Sequence, residues 1–372
     1  MRLIYLSPVP WESFSQRPHK FVDWFHERTG GPVLWIEPYP TRLPNWNDLI
    51  RPRGPGSSSQ GRTIPAWLST LKPGGLPIEP LPGSIWINSR FWRRCFNQIY
   101  SFSLESNAYL AIGKPSALAV ELLKVLPHCS SLYDAMDDFP AFYSGISRFA
   151  LAKKEREIAQ LANVIWASSS LLKSRWDHFH NDVRLVHNGL DLSTLRAAEP
   201  QYKFSDKKIF GYVGTIASWF DWKWLRDLAA ERPNDEIRLV GPIFNKPKCR
   251  LPTNITLLPA CNHTIALRTM MQFDVGLIPF KKNPLTASVD PIKYYEYRGI
   301  GLPVITTDFG EMSQRTGDLG VFISRSHKDI GIIAKSALAF KNDTNQTSKF
   351  AKQNLWKVRF DSSGLLANFE GE

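Results

Sequence analysis

The feature that most limits the possible folds is a polar loop and a proline-started helix between two short apolar runs. The first run, Val275–Ile278, and the second, 303–306, each have the length of a buried parallel strand. Between them, Pro291 suits the first turn of a helix, where its missing N–H costs nothing, and Gly299 and Gly301 suit the helix end. This order predicts a βαβ unit in an open α/β sheet. The loop then follows the carboxyl end of a strand, where such sheets bind ligands.

Two charged residues of this helix lie one turn apart. Lys293 and Glu296 are separated by three positions and therefore share a face. Lys293 falls in the first turn, where free backbone N–H groups and the helix dipole attract an anion. The Glu296 carboxylate can accept hydrogen bonds from a vicinal diol such as a ribose. The pair predicts a nucleoside diphosphate site, or alternatively a surface ion pair that adds little stability.

The same segment resembles the donor-binding element of GT-B glycosyltransferases of the family-four type. Their motif reads Glu, seven residues, Glu, and then a small-residue turn followed by Pro-Val. Glu296 matches the second glutamate, and residues 301–304 match the turn and the strand. The first glutamate falls on Ser288, where this sequence departs from the pattern. Asp290, two residues further on, is a candidate substitute.

A second resemblance is to the membrane-associated glucuronosyltransferases of xanthan synthesis, whose donor helix has a phosphate-binding Lys and a ribose-binding amide at this spacing. Both resemblances imply an α/β GT-B fold with two facing Rossmann-like domains, parallel sheets and a C-terminal crossover helix. Residues 187–191 resemble the turn that closes the amino domain in this superfamily. The implied division is an acceptor-binding domain at 1–191, a nucleotide-sugar-binding domain at 192–349, and a helix at 350–372 that packs back on the first domain.

Length and charge limit the function classes. A chain of 372 residues can bury two cores of ordinary size. Its net charge of +12 indicates an anionic partner, and dispersed basic residues without a nucleic-acid signature favour phosphate groups and a membrane surface over nucleic acid.

Four scattered cysteines without metal-ligand spacing favour a reducing compartment and no metal. The opening residues are too short for a signal peptide and predict the first strand, and no apolar run reaches the ~20 residues needed to span a bilayer.

The loop after the first predicted strand carries Gln16, Arg17 and His19 just before an amphipathic helix. In GT-B folds this loop helps to hold the acceptor, so the resemblance implies that these three residues contact it. Alternatively, Arg17 and His19 only cap and solvate the start of the helix.

Three acids crowd the end of another predicted strand: Asp134, Asp137 and Asp138. Neighbouring carboxylates raise each other's pKa, and one of them can act as a general base toward a sugar hydroxyl. Asp137 and Asp138 fall where family-four enzymes have a His-Asp dipeptide in the catalytic cleft. We expect Asp137 to be the base, with Asp138 its main rival. Alternatively, one of these acids is a helix N-cap.

The second half restarts with a strand that enters a Gly-Thr turn, where backbone can approach a ligand closely. The resemblance implies that this turn supports the donor phosphates. The predicted donor site consists of Gly214, Thr215, Ser288, Asp290, Ile292, Lys293 and Glu296.

Residues 84–88 resemble a strand. The stretch before them, residues 38–83, is rich in Pro, Gly, Ser and Arg. Apolar and basic side chains in this stretch predict a membrane-facing edge, or alternatively a cover for the first domain's core. They are Trp46, Leu49, Ile50, Arg51, Arg53, Arg62, Trp67, Leu68 and Leu71.

These observations predict a metal-independent glycosyltransferase without a cofactor. It would move a sugar from a UDP- or GDP-linked donor to a hydroxyl of a saccharide acceptor, lipid-linked, in bacterial polysaccharide synthesis. The expected location is cytoplasmic, peripheral on the inner face of the plasma membrane. The alternative is a non-catalytic module that binds nucleotide or polysaccharide and regulates a partner. A nucleotide-sugar epimerase of the same fold needs paired acids and a His that this sequence does not reproduce.

Overall fold

The computed structural model describes residues 1–41, 43, 62–191 and 207–367. The chain forms two compact units. The first consists of Met1–Val186 with the residues from Ser363 onward, and the second of His187–Ser362. Each unit contains one parallel sheet with flanking helices, which confirms the predicted α/β class.

Among the described residues, the sheet of the first unit has seven parallel strands. They are β1 (Arg2–Leu6), β2 (Val33–Ile36), β3 (Leu68–Leu71), β4 (Ala108–Ile112), β5 (Ser130–Ala135), β6 (Val164–Ala167) and β7 (Val183–Leu185). Their order in the sheet is β3-β2-β1-β4-β5-β6-β7. Strands β2, β4 and β6 are buried at every position, as expected where helices cover both faces of a parallel sheet.

The helices of this unit follow local sequence signals. They are α1 (Arg17–Thr29), α2 (Ser84–Leu104), α3 (Ala117–Val125), α4 (Gly145–Leu161) and α5 (Ser170–Trp176), with a short 3-10 helix at Phe139–Phe142. Helix α1 ends at Gly30, whose left-handed backbone lets its N–H donate to the carbonyl of His26. Helix α3 begins after Ser116, whose hydroxyl accepts a hydrogen bond from the backbone N–H of Ala119.

The strand predicted at residues 84–88 is wrong. These residues form the first turns of helix α2, and the third strand of the sheet is β3 instead. The buried positions of α2 recur every three or four residues, which is the helical period. They are Ser84, Asn88, Trp92, Cys95, Ile99 and Ser103. The prediction failed because polar residues occupy several positions of the buried face.

Within residues 207–367, the sheet of the second unit has six parallel strands. They are β8 (Ile209–Val213), β9 (Glu236–Val240), β10 (Ile255–Leu258), β11 (Val275–Ile278), β12 (Val304–Thr307) and β13 (Val321–Ser324). Their order is β10-β9-β8-β11-β12-β13. Successive strands are therefore added toward one side from β8 to β10 and toward the other side from β11 to β13. The place between β8 and β11 is the topological switch point, at which open α/β sheets bind ligands.

The helices of this unit lie against the sheet or against one another. They are α6 (Trp222–Glu231), α7 (His263–Met270), α8 (Ile292–Gly299), α9 (Ile330–Ala339), α10 (Thr344–Gln353) and α11 (Trp356–Asp361), with a 3-10 helix at Gly310–Arg315. The βαβ unit predicted around α8 is confirmed. Gly276 in β11 allows close packing of α8, because a Cβ there would lie 2.5 Å from the ring of Tyr297.

The C-terminal helices lie in the second unit, whereas the predicted division placed residues from 350 onward against the first. Helix α10 packs against α8, with ring centroids of Tyr294 and Phe350 5.5 Å apart. The backbone N–H of Trp356 donates to the carbonyl of Leu190 at 3.1 Å. Only from Ser363 does the chain join the first unit, where the carbonyl of Ser363 accepts a hydrogen bond from Arg184 at 2.7 Å. The first unit also ends at Val186, five residues before the predicted boundary.

The described part of the predicted membrane edge packs on the first unit instead. The Trp67 ring stacks on His26, and Leu68 is buried in strand β3. Arg62 lies over the ring of Trp11 and pairs with an Asp23 carboxylate. Residues Trp46, Leu49, Ile50, Arg51 and Arg53 lie outside the described residues. No helix in the described ranges is long and apolar enough to cross a membrane.

Candidate functional site

The predicted donor residues lie after two neighbouring strands of the second sheet. Gly214 follows β8, and the loop leading to α8 follows β11. These strands pair directly, so both connections leave the same edge of the sheet. A Cβ added at Gly214 would lie 3.6 Å from Cε of Lys293. The fold thus brings together the glycine turn and the charged helix.

The backbone of the glycine turn is fixed and has no space for a side chain. Gly214 has φ +152°, and a Cβ there would lie 2.9 Å from the hydroxyl of Tyr212. Its N–H donates to the carbonyl of Val240 at 2.9 Å. The Tyr212 hydroxyl donates to the carbonyl of Thr215, also at 2.9 Å. A ligand can therefore approach this backbone without displacing a side chain of the turn.

Lys293 and Glu296 form the expected pair on α8, with Nζ 2.5 Å from a carboxylate oxygen. Glu296 is buried and Lys293 half-buried, so this is not a solvated surface pair. The N-cap of the helix is Pro291, which has no side-chain acceptor for the first-turn N–H groups. The half-buried Ile292 occupies the first helical position. The helix thus presents a cation and uncapped N–H groups, which suit a phosphate.

Tyr297 links this helix to the glycine turn and was missed by the sequence analysis. Its hydroxyl accepts a hydrogen bond from the backbone N–H of Val213 at 3.0 Å, and its ring is fully buried. The contact of its ring with Gly276 in β11 marks this role of Tyr297. The sequence does not show that contact, because it forms only when the helix packs on the sheet.

Asp290 does not point a free carboxylate at a ligand, in contrast to its predicted role as a sugar contact. Its side chain is fully buried. It accepts hydrogen bonds from the backbone N–H of Asn188 at 2.8 Å, the hydroxyl of Tyr295 at 2.9 Å and the guanidinium of Arg315 at 2.6 Å. These partners make Asp290 a positioning residue that ties the start of the second unit to the donor helix.

Ser288 is also buried, and its hydroxyl has no hydrogen-bond partner among the residues that the structure describes. A different carboxylate approaches this loop. The N–H of Glu311 donates to the carbonyl of Val289 at 3.1 Å, and its side chain lies 3.6 Å from Nε2 of His187. No motif marked Glu311 in the sequence, because it reaches the loop only through the 3-10 helix after β12.

The three crowded acids of the first unit have distinct environments. Asp134 is fully buried and receives hydrogen bonds from the Arg17 guanidinium at 2.8 to 3.1 Å. Asp138 pairs with Arg175 at 2.8 Å. Within the described ranges, the Asp137 carboxylate makes no hydrogen bond or ion pair. The structure thus separates one free acid from two paired ones.

Asp137 also has the electrostatics of a base that works near neutral pH. Burial raises the pKa of its carboxyl to about 7, with the Arg17 charge opposing this and the charges of Asp134 and Asp138 adding to it. General bases work best with a pKa near the working pH.

Two of the predicted acceptor contacts belong to the interior of the first unit. Arg17 is only 3% exposed and also donates to the carbonyl of Val186 at 2.8 Å. His19 is fully buried, accepts from the N–H of Gln16 at Nδ1 and donates from Nε2 to the carbonyl of Trp11. Burial lowers the pKa of His19 to about 4. Of the alternative that both side chains cap and solvate the start of α1, only the capping contact of His19 with Gln16 fits, because Arg17 forms an interior ion pair with Asp134 and neither side chain is solvated. Gln16 is half-buried and stays a predicted acceptor contact.

Solved structures share the fold of this protein along nearly the whole chain. Sucrose-phosphate synthase from Thermosynechococcus elongatus aligns with a TM-score of 0.67 at 13% identity, over 99% of this chain and 98% of that one. HepE from Anabaena in complex with UDP-glucose aligns with a TM-score of 0.65 at 11% identity, over 99% of each chain. The fold is GT-B. The lipopolysaccharide outer core galactosyltransferase WaaB also has it, with a TM-score of 0.65 at 10% identity over 98% of this chain and 99% of that one.

One curated relative is similar in sequence. A protein of Bacillus subtilis (strain 168), named as a candidate teichuronic acid biosynthesis glycosyltransferase TuaH, is 24% identical over 250 residues. The match covers 61% of this chain and 63% of that relative, so the chain spans less than two thirds of its length. No family model matches the sequence. The resemblance to GT-B glycosyltransferases inferred from the donor motif is confirmed at the level of the fold.

Proposed function

We propose that this protein is a glycosyltransferase that moves a sugar from a nucleotide-diphosphate sugar to a hydroxyl of a saccharide. The observation that carries the proposal is the Lys293–Glu296 pair beside Gly214, at the switch point of the second sheet. The UDP-glucose complex of HepE and the name of the Bacillus subtilis relative support a nucleotide-sugar donor and a polysaccharide product.

The donor would bind with its diphosphate at the start of α8. Lys293 and the uncapped first-turn N–H groups supply positive charge there, and the bare backbone of Gly214 allows close approach. The Lys293 amine would then shift from Glu296 to the phosphate. This leaves the Glu296 carboxylate to accept hydrogen bonds from the ribose. The same groups would stabilise the charge that develops on the diphosphate as it leaves.

The acceptor hydroxyl would lose its proton to Asp137. The resulting oxygen nucleophile attacks the anomeric carbon, and the bond from that carbon to the diphosphate oxygen breaks. Asp134 and Asp138 are less suited to take the proton, because each is held by an arginine. Asp137 has no such partner among the described residues, and its raised pKa suits proton transfer at neutral pH.

The finer features of the function also stand as proposals. We infer a UDP- or GDP-linked donor, no cofactor, metal-independent transfer, and a lipid-linked saccharide acceptor in bacterial polysaccharide synthesis. Together with the net charge of +12, such an acceptor supports a peripheral position on the inner, anionic face of the plasma membrane.

Thermal unfolding with UDP, GDP, ADP and CMP tests the donor site. A nucleotide at about a hundred times its Kd should stabilise the wild type by about 2.7 kcal/mol. Lys293→Ala should weaken binding by about 1.5–3 kcal/mol, because it removes hydrogen bonds to a charged phosphate. Glu296→Ala should also reduce the response, through the lost ribose contact. Lys335→Ala, at an exposed lysine of α9, is the matched control and should respond as the wild type does.

Each result of this screen has a distinct meaning. A folded wild type that responds to none of the four nucleotides contradicts the proposed donor site. A nucleotide response without transfer from the matching nucleotide sugars would favour the non-catalytic module. A response that survives in Lys293→Ala would place the nucleotide elsewhere.

A further inference from the structure

Helix α2 of the first unit has an exposed face that combines large apolar side chains with arginines. The helix has 21 residues and contains three arginines but no aspartate, glutamate or lysine. The exposed residues opposite its buried stripe recur at helical spacing. They are Trp86, Arg90, Arg93, Asn97, Tyr100 and Leu104.

The apolar members of this face are strongly exposed. Trp86 is 65% exposed and Leu104 is 60% exposed, at opposite ends of a helix about 30 Å long. The Arg90 guanidinium lies 3.6 Å from the centroid of the Trp86 ring. Leu76 and Leu81, just before the helix, are exposed as well. Large exposed apolar side chains grouped on one helix face mark an interaction site more often than a solvated face.

We propose that this face of α2 docks the protein on an anionic lipid bilayer, with the helix lying along the surface. Trp86, Tyr100 and Leu104 would enter the boundary between headgroups and acyl chains, and the arginines would contact lipid phosphates. Charge complementarity supports this partner, because the helix carries three positive charges and no negative one. A nucleic acid would use the arginines but would leave the exposed Leu104 in water.

The inference deepens the proposed function, since it names the surface that would bring the enzyme to a lipid-linked acceptor. It also moves the membrane contact from the segment at 62–71, which packs on the first unit, to the helix that follows it. The docking helix and the donor helix α8 belong to different units, so each can be altered separately.

Co-sedimentation with vesicles tests the proposal. The full chain should bind vesicles of phosphatidylglycerol and phosphatidylcholine much more strongly than phosphatidylcholine alone, and added salt should weaken the binding. The variant Trp86→Ser/Arg90→Glu/Arg93→Glu should lower the affinity for anionic vesicles at least tenfold. The matched control, Ile332→Ser/Lys335→Glu, alters an equally exposed apolar residue and a basic residue on α9, where Ile332 is 71% exposed. It should bind vesicles as the wild type does.

The nucleotide response, recorded on the same variants, separates the two proposals. Loss of vesicle binding in the α2 variant, with its melting temperature and nucleotide response retained, supports the docking surface. Wild-type vesicle binding by that variant would overturn it. No binding of the wild type to anionic vesicles, or stronger binding to a soluble polyanion such as heparin, would also overturn it. Vesicle binding through α2 without any nucleotide response would reject the proposed donor site and leave the docking surface supported.

Discussion

Replacing Asp137 by Asn is expected to lower the rate of sugar transfer by about 10²–10⁴-fold, which is the usual contribution of a positioned general base. The amide has nearly the same shape but cannot take up the proton of the acceptor hydroxyl. Binding of the nucleotide should stay unchanged, because the proposed donor residues lie in the other unit. Steady-state rates and the nucleotide-induced thermal shift together measure both expectations.

The transfer rate and the stability should both depend on pH through the Asp137 carboxyl. Because the pKa of Asp137 is raised to about 7, the active carboxylate form should increase as the pH rises through 7, and kcat/KM should rise with it. The same shift acts on stability. The native state holds this proton more tightly than the unfolded chain, so the stability that this group contributes is lost as the pH rises from the ordinary carboxyl pKa of 3.8 to the folded-state pKa of about 7. At pH 8 the Asn variant should therefore melt at or above the wild-type temperature.

The controls for Asp137 are two other aspartates. Asp177→Asn, at an exposed helix pair with Lys173, should leave the rate unchanged. Asp138→Asn should have a smaller effect than Asp137→Asn, because its carboxylate pairs with Arg175. A larger loss in Asp138→Asn, or an unchanged rate in Asp137→Asn, would assign the base elsewhere.

Arg17→Met is expected to destabilise the protein by about 3–5 kcal/mol, the cost of breaking a buried ion pair by removal of one partner. The Asp134 carboxylate is fully buried and receives its hydrogen bonds from this guanidinium. Without Arg17 it would have to protonate or draw in water. Equilibrium unfolding in urea measures the change, and the double variant Arg17→Met/Asp134→Asn should recover part of it.

The matched control is Arg184→Met, which breaks a half-exposed pair with Asp182 and should cost about 1 kcal/mol or less for the pair itself. Loss of its hydrogen bond to the carbonyl of Ser363 should add about 1 kcal/mol. This experiment also decides between the two interpretations of Arg17. If Arg17→Met is as stable as the wild type and raises only the KM for the acceptor, the predicted acceptor contact is right and the structural role is wrong.

The sequence alone determined the strand–loop–helix–strand around α8 and the class of fold. Its signals are local: apolar runs of strand length, a proline at the helix start and glycines at its end. The donor pair could be predicted for the same reason, because Lys293 and Glu296 face each other through helix geometry alone. The crowding of Asp134, Asp137 and Asp138 could likewise be predicted, because the three residues lie within five positions of the sequence.

Which of these residues are free to react depends on contacts that form only in the folded chain. Arg17 meets Asp134 across 117 positions, and Arg315 meets Asp290 across 25, so no local pattern records either contact. These pairings leave Asp137 as the unpaired acid of its cluster within the described chain, and they turn Arg17 and Asp290 into structural groups. Packing also extended helix α2 over residues 84–88, which the sequence pattern assigned to a strand, because the polar Ser84 and Asn88 lie on its buried face. The availability of a side chain depends on distant partners and on burial, and the folded chain alone specifies both.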